Sequence, residues 1–529
     1  MPIELTRFYA VGILSMAAAS GATYHCMRRW GWKFHIRLFY VGIALASITL
    51  FVLPVLKAQA LHQYVDIAHW MGLLWNIIHT GQPESLSHEF IIPGTLNYFS
   101  VHFVPLLYAL AIPFAVFSSP LTLLVCNWVL MLSALIPLYK LAYHLQGNRR
   151  FALFVASILL WYPTFQYIIL YEFEMVRFSI PILLWMLYWW ETRQMPWYWV
   201  FVALAVLVRE ELGLTIAAFG FSQVFIRQHR TKGLITAAVG LLGFVVIYTI
   251  VMPAFRSAGG FEHVAAGIAP QFGTTPLEVI VGIMRHPFLF FTTILHPFKI
   301  ANTGMLFVPL LGIPLLAPTA LIGAVANIGL GLLSNSFAHS SYLLYYISPS
   351  IPFIFYAFLK AWPKLLRRVG LQREEALMGA LLIGVVVGNI FFGPSPVSVQ
   401  FWSRYWRPAP FRTQDFHWSS YRVTAHHRLV NEFTRRIPNE AIVSTQQFLA
   451  PRLYQKRGIM VFPQLEANQQ KYQASYVLLD TTNNGLRSQS PAFIPTEQMK
   501  IVQEDSEQWE KVYGEDGYEL YHRKIATKQ

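Results

Sequence analysis

Three sets of charged residues interrupt a chain that is otherwise strongly apolar, and each has a spacing that chemistry could use. Asp66 lies in LHQYVDIAHWMGLLWNIIHT, residues 61–80, among His62, His69, Trp70, Trp75 and His79. A carboxylate on an amphipathic stretch at a membrane surface can take a proton from an acceptor hydroxyl or amine, or ligate a divalent cation. Capping a helix or standing solvated at the interface are its uses without chemistry. Glu172 and Glu174 are one residue apart in Tyr171-Glu172-Phe173-Glu174, with Arg177 just beyond. In extended chain they project to one side and can share a hard cation such as Mg²⁺ or Mn²⁺, or one cation and Arg177. A plain salt-bridge cluster is the alternative, although ionisable groups at the mouth of a membrane cavity are costly unless used. Arg209-Glu210-Glu211 divides an apolar run, so its charges pair with one another or Arg209 meets a ligand phosphate. His102, His286, His296 with Lys299, and His339 end other apolar stretches, and their spacing fits no zinc motif.

Membrane helices must position these groups. The 529 residues are 55% hydrophobic and 16% aromatic, with 12% charged, about half the charge of a soluble chain. The formal net charge of +14 does not point to nucleic acid, because Lys and Arg concentrate in short connections between apolar runs. Cys26 and Cys126 lie in or beside such runs, so no disulfide framework is implied. A span takes roughly 20 apolar residues, fewer when shielded, which gives about twelve. They are 8–25, 38–56, 121–143, 151–170, 176–190, 197–208, 212–226, 233–252, 303–317, 319–333, 343–361 and 376–393. The sixth and seventh are too short to cross alone and read as a helical pair broken near mid-depth.

One orientation puts Arg28, Arg29, Lys33 and Arg37, then Arg149 and Arg150, then Arg193, then Arg227, Arg230 and Lys232, and lastly Lys364, Arg367, Arg368 and Arg373 on the cytoplasmic side. Loops 57–120 and 253–302 and everything after 392 then lie outside. The basic cluster after the first apolar run argues for its retention rather than cleavage as a signal peptide. Residues 61–80 read as an interfacial helix and 276–299 as a second. Residues 102–117, interrupted by Pro105 and Pro113, dip into the membrane or lie on it. Beyond Pro394 charged and amide residues rise, and the pattern predicts helices at 425–436 and 448–455. It predicts strands at 441–444, 459–462, 476–480, 511–513 and 518–523, the last two turning at Glu515-Asp516-Gly517. Asp480, at a strand end, faces a ligand or caps a turn. The expected fold is an all-α polytopic membrane domain, residues 1–393, carrying a small external α/β lobe, residues 394–529.

Several stretches in order carry a resemblance. They are VDIAHWMGLLWNIIHTG (65–81), HFVPLL (102–107), SSPLTLLV (118–125), LVREELGL (207–214), YYISPSIPFIF (345–355), IPNEAIVSTQQFLAPRLYQKRGIMVFP (437–463), SYVLLDT (475–481) and DGYELYHR (516–523). The chain resembles, from residue 65 to 524, a family of prokaryotic integral membrane proteins defined as domain of unknown function 2079. That family typically has an Asp-Phe-His-Pro-like stretch where this chain has Glu172-Phe173-Glu174-Met175, so any histidine chemistry there is changed. Its layout is similar to the GT-C class of glycosyltransferases, which use polyprenyl-phosphate donors. Those enzymes carry an acidic residue in the first external loop and, in one branch, an acid-x-acid pair in the next. The resemblance implies a base or metal site shared by Asp66, Glu172 and Glu174.

The function expected on these grounds is a GT-C-like glycosyltransferase on the external face of a prokaryotic inner membrane. The donor would be a lipid-linked sugar with its phosphate at Arg177 or Arg209, and the acceptor would reach Asp66. Mg²⁺ or Mn²⁺ held by Asp66 with Glu172 or Glu174 would neutralise the leaving phosphate, or arginine alone would. Membrane lipid and envelope proteins docking on the lobe are the other expected partners. Two rivals stand beside it. One is a lipid or solute transporter with Arg209, Glu210 and Glu211 along its pathway, for which no inverted repeat is found. The other is a non-catalytic scaffold whose acids only pair with arginines.

Overall fold

A computed structural model describes residues 3–31, 35–91, 94–256, 268–403, 416–467, 471–486, 488, 490 and 492–524. Lys33 of the first basic cluster lies outside these. Among the described residues, five helices are long and apolar enough to cross a membrane: Ile36–Gln59, Pro120–Gln146, Arg230–Ala254, Phe337–Val369 and Leu371–Phe392. Counting each of two bent pairs as one span raises the number to seven. Leu107–Val116, Met195–Val208, Leu212–Val224 and Pro318–Leu333 are apolar but shorter. At 1.5 Å per residue such pieces cover roughly 15–24 Å, less than a hydrocarbon core of about 30 Å. Length therefore separates them from the twelve spans that hydropathy alone suggests.

Several expected spans differ for identifiable reasons. Run 151–170 is two helices, Arg149–Trp161 and Pro163–Leu170, bent by 54°, because Pro163 lacks the N–H that would continue the ladder. Run 303–317 is not one helix. It holds the short turns Val308–Leu310 and Ile313–Leu316, with Leu311 and Gly312 at φ of 52° and 68° between Pro309 and Pro314. Residues 276–299 form Pro276–Arg285 and Pro287–Ile294, broken at Pro287 and bent by 102°. Leu277, Met284 and Phe288 on this pair are exposed, an apolar surface suited to lipid. In the first long loop the helix covers only Val65–Thr80, and Leu61 sits in a left-handed turn at φ 53°.

The membrane helices meet through small residues. Leu212–Val224 packs along Arg230–Val246 so closely that a Cβ on Gly220 would lie 2.3 Å from the Ala237 nitrogen. Where lipid is as apolar as the side chains, such close backbone approach is what favours helix pairing.

The C-terminal strands are β1 Ile442–Thr445, β2 Gly458–Val461, β3 Glu466–Ala467, β4 Tyr472–Gln473, β5 Tyr476–Asp480, β6 Trp509–Glu515 and β7 Tyr518–Arg523. Five of them make a mixed sheet in the order β2-β1-β5-β7-β6. β1 runs parallel to both neighbours, with Val443 opposite Ile459 and Tyr476, while β7 is antiparallel to β5 and β6. The β6–β7 turn uses Asp516 and Gly517, both at positive φ, as a tight hairpin requires. The helix Ala425–Arg436 forms as its pattern predicts and buries Val430 and Phe433. The helix expected at 448–455 is reduced to a single turn, Ala450–Arg452, since Pro451 cannot sit in a helix interior. Helix Thr496–Gln503 and the β3–β4 pair lack an alternating or periodic signal strong enough to announce them.

The lobe's apolar core continues into the membrane-proximal loop. Leu61, Tyr64 and Ala68 share one buried cluster with Val430, Phe433, Val443, Leu449 and Leu478. The start of the Asp66 helix is thus packed into the lobe.

Candidate active site

The Val65–Thr80 helix begins with Tyr64 in extended backbone and no side-chain cap at its own N-cap position. The missing acceptor comes from 105 residues and more away. Glu172 receives the Tyr64 N–H at 2.5 Å and the Ile67 N–H at 3.3 Å, so both its oxygens serve the free donors of the first turn. Glu174, extended at φ −161°, accepts from the Trp70 indole N–H at 2.9 Å. Asp66 and Trp70 are four residues apart and share one helix face, and the segment 171–174 runs along it. The Tyr171 hydroxyl donates to Asp66 Oδ2. Asp66 itself is half-buried.

Arginines flank these acids. Arg209 lies 3.5 Å from Glu174 and 3.5 Å from Glu211, and donates to His102 Nε2 at 3.0 Å. An arginine can only donate, so His102 Nε2 is unprotonated and Nδ1 carries the proton that it gives to Glu210 at 2.8 Å. Glu210 also accepts the Phe103 N–H at 3.0 Å. The Arg209-Glu210-Glu211 triplet therefore ties the helix pair 195–208 and 212–224 to the first loop. Arg177 is fully buried: one nitrogen donates to Asn127 at 3.0 Å, and Nε and Nη2 meet no acceptor. Its plane lies near the rings of Tyr171 and Phe173, at 6.0 and 5.8 Å. A buried guanidinium with two unused donors is costly unless an anion visits it.

Asp66, Glu172, Glu174, Arg177 and Arg209 are thus brought together from three separate segments, Arg177 through the field it exerts on Asp66 and Glu174 rather than through a direct bond. Sequence reasoning missed Trp70, Tyr171, Asn127 and the role of His102 as a bridge between Arg209 and Glu210. Asn127, a buried amide inside the apolar run 121–143, had a signal in being polar there; the aromatic partners had none. His339 meets Tyr346 edge to face at 4.4 Å and bonds Ser334 at 2.6 Å. His286 sits at a helix break, and His296 packs tilted against Phe337 at 5.0 Å while Lys299 donates to the Leu332 carbonyl. None of those contacts reaches the carboxylates. Asp480 caps its own turn, accepting from Thr482 and Asn484, and also meets His426 at 3.0 Å. Asn484 then donates to the carbonyls of Ala60 and Leu61 at 2.9 and 3.0 Å. Through it the lobe fixes the turn leading into the Asp66 helix.

The donor set decides how a metal would fit. Both oxygens of Glu172 are engaged by helix amides, and those of Glu174 by Trp70 and Arg209. Among the described residues no three His, Cys, Asp or Glu side chains gather to hold an ion. As arranged, the three carboxylates do not fit a shared Mg²⁺ or Mn²⁺ centre.

Burial shapes the titration of this site. It raises the Asp66 carboxyl, with the Tyr171 hydrogen bond and Arg177 pulling the other way. It raises Glu172 to about 8, with Asp66 adding repulsion, and Glu174 to about 7, against an ordinary 4.5. Burial lowers His88 to about 4 and puts His69 and His102 well below the ordinary 6.5. Carboxyls raised in the folded state add stability below their unfolded value that is lost as pH rises through 7 to 8. Depressed histidines add stability above 6.5 that is lost as pH falls toward 4. The two effects oppose each other between about pH 4.5 and 6.5, so thermal unfolding across pH 5–9 is expected to show stability falling from about pH 6.5 to 8, where only the carboxyls act. Glu174→Gln should flatten the alkaline limb; an unchanged slope would remove Glu174 from it.

Apolar helices long enough to span a bilayer, with acids and arginines gathered near the contact with a small α/β lobe, define a membrane protein. The pattern of DUF2079, described as a predicted membrane protein, matches residues 57–520, and the chain belongs to that family. No curated protein matches it in sequence. The crystal structure of ArnT from Cupriavidus metallidurans bound to undecaprenyl phosphate is similar at a TM-score of 0.50 and 13% identity, covering 92% of this chain and 98% of that one. The apo form of ArnT gives 0.45 at 12% identity, covering 91% and 97%. At such identity the likeness is one of fold.

Proposed function

We propose that this protein transfers a sugar from a polyprenyl-phosphate-linked donor, working on the external face of a prokaryotic inner membrane. Residues 1–393 would form the membrane domain and 394–529 the external lobe. The observation that carries the reading is a half-buried carboxylate, Asp66, held by the Tyr171 hydroxyl within electrostatic reach of Arg177, a buried arginine with two donors unused. The fold supports it, since ArnT is a protein bound to undecaprenyl phosphate.

Asp66 takes the proton of an acceptor hydroxyl or amine as that atom attacks the anomeric carbon. The bond from that carbon to the phosphate oxygen breaks, and its electron pair leaves with the polyprenyl phosphate. A base with a raised pKa suits proton transfer near neutrality. Arg177 and Arg209 meet the charge that builds on the leaving phosphate. Glu172 and Glu174 hold the Asp66 helix and Arg209 in place. Under the alternative in which Mg²⁺ or Mn²⁺ carries this charge, a chelator would stop turnover; with arginines it would not.

The test is saturable binding of undecaprenyl phosphate to the full chain in nanodiscs, followed by release of that lipid from sugar-charged donors. Saturable binding and product are expected. Absence of both would overturn the reading, and vectorial lipid movement without sugar transfer would favour a transporter.

A further inference from the structure

A second constellation lies at the far end of the helices that carry the arginines. Ser179–Glu191 starts just after Arg177, and Met195–Val208 ends just before Arg209. With 13 and 14 residues each, these helices place their shared turn about 20 Å from the candidate active site. At that turn is a cavity of about 340 Å³ lined by Trp190, Arg193, Met195, Gln228, His229 and Lys232. None of the lining residues is acidic. The nearest acid in sequence, Glu191, is already held by Lys360 at 2.8 Å and by the Tyr356 hydroxyl at 2.5 Å.

Three features make this more than a basic surface. The Trp190 indole N–H is buried without a partner, although its ring, 4% exposed, packs on His229 at 5.3 Å. Arg193 holds a left-handed backbone at φ 60°, a strained conformation for a residue with a side chain. Within a few residues of the lining in sequence, Trp197, Phe225, Leu234 and Ile235 are exposed and apolar. A soluble anion has no use for such apolar neighbours, whereas acyl chains do.

We propose that this cavity binds the phosphate headgroup of an anionic phospholipid. Arg193 and Lys232 supply the charge, and the Trp190 N–H and Gln228 amide are donors to the phosphate oxygens. The acyl chains lie along Trp197, Phe225, Leu234 and Ile235. The turn carries Arg193, and the connection after 226 carries Arg230 and Lys232, the clusters read as cytoplasmic. That is the face on which basic pockets between helices recruit anionic lipid. The inference does not depend on the sugar-transfer reading.

The experiment is thermal unfolding and native mass spectrometry of the detergent-purified full chain titrated with phosphatidylglycerol, phosphatidylcholine or inorganic phosphate. Saturable stabilisation by phosphatidylglycerol alone is expected. Arg193→Gln with Lys232→Gln should weaken it at least tenfold while leaving undecaprenyl phosphate binding unchanged. Should the double variant fold poorly, Lys232→Gln alone, at an exposed position, should weaken it measurably. Equal responses to the two lipids, an unaltered response in these variants, or protection by inorganic phosphate matching that of phosphatidylglycerol would each overturn the proposal.

Discussion

Asp66→Asn is expected to lower sugar transfer by about 10²–10⁴-fold, the usual contribution of a positioned base, without lowering thermal stability. Asparagine is nearly isosteric, and its carbonyl can still accept the Tyr171 hydroxyl that Asp66 accepts. Removing the charge also relieves repulsion on Glu172, so folding loses nothing by it. The contrast is Glu172→Gln. Both oxygens of Glu172 accept backbone N–H groups of the helix start. An amide offers one oxygen and turns an NH₂ toward a donor, leaving a buried N–H unpaired at a cost of about 1–3 kcal/mol. The two substitutions lie on neighbouring side chains of one network, yet one should remove turnover alone and the other should destabilise. Paired melting curves and transfer assays read both. Transfer surviving in Asp66→Asn would take the carboxylate out of the chemistry, and a fall in stability there would make it a structural acid.

How much of this arrangement the sequence discloses depends on whether the information is local. One-residue spacing in Glu172-x-Glu174 and extended backbone together dictate that both side chains reach the same neighbour, and they do. The charged triplet 209–211 between two short apolar runs is visible because charge amid such runs must be partnered. What it is partnered with is not visible: His102 meets Arg209 and Glu210 across more than a hundred residues, and nothing in either segment names the other. The same limit hides Trp70 and Tyr171, whose polar atoms serve Glu174 and Asp66 from within aromatic, apolar surroundings. In the lobe, a short apolar run places β5, which is buried on both faces, and partial alternation places β7. Hydropathy fails where it cannot tell conformation. Residues 303–317 are apolar enough for a helix, and only Pro309, Gly312 and Pro314 betray the turns found there.

Arg177→Met should weaken undecaprenyl phosphate binding by more than tenfold while leaving the melting temperature unchanged or higher. Arg177 is fully buried with two nitrogens that donate to nothing. Replacing such a charge by an apolar side chain of similar length removes its desolvation cost. Against this stands the Asn127 oxygen, which loses one hydrogen bond, worth about 1 kcal/mol. Arg209 should behave in the opposite way. It is matched to Glu174, Glu211 and His102 at 3.5, 3.5 and 3.0 Å, so Arg209→Met strands buried partners. Breaking a buried pair on one side destabilises by about 3–5 kcal/mol. An arginine kept at a loss to folding is one kept for a ligand, whereas a matched arginine serves the scaffold first. Measuring both melting temperature and phosphate affinity in the two variants separates these roles. If Arg177→Met lowers stability and leaves affinity intact, the unused donors are satisfied by water and the phosphate is held elsewhere.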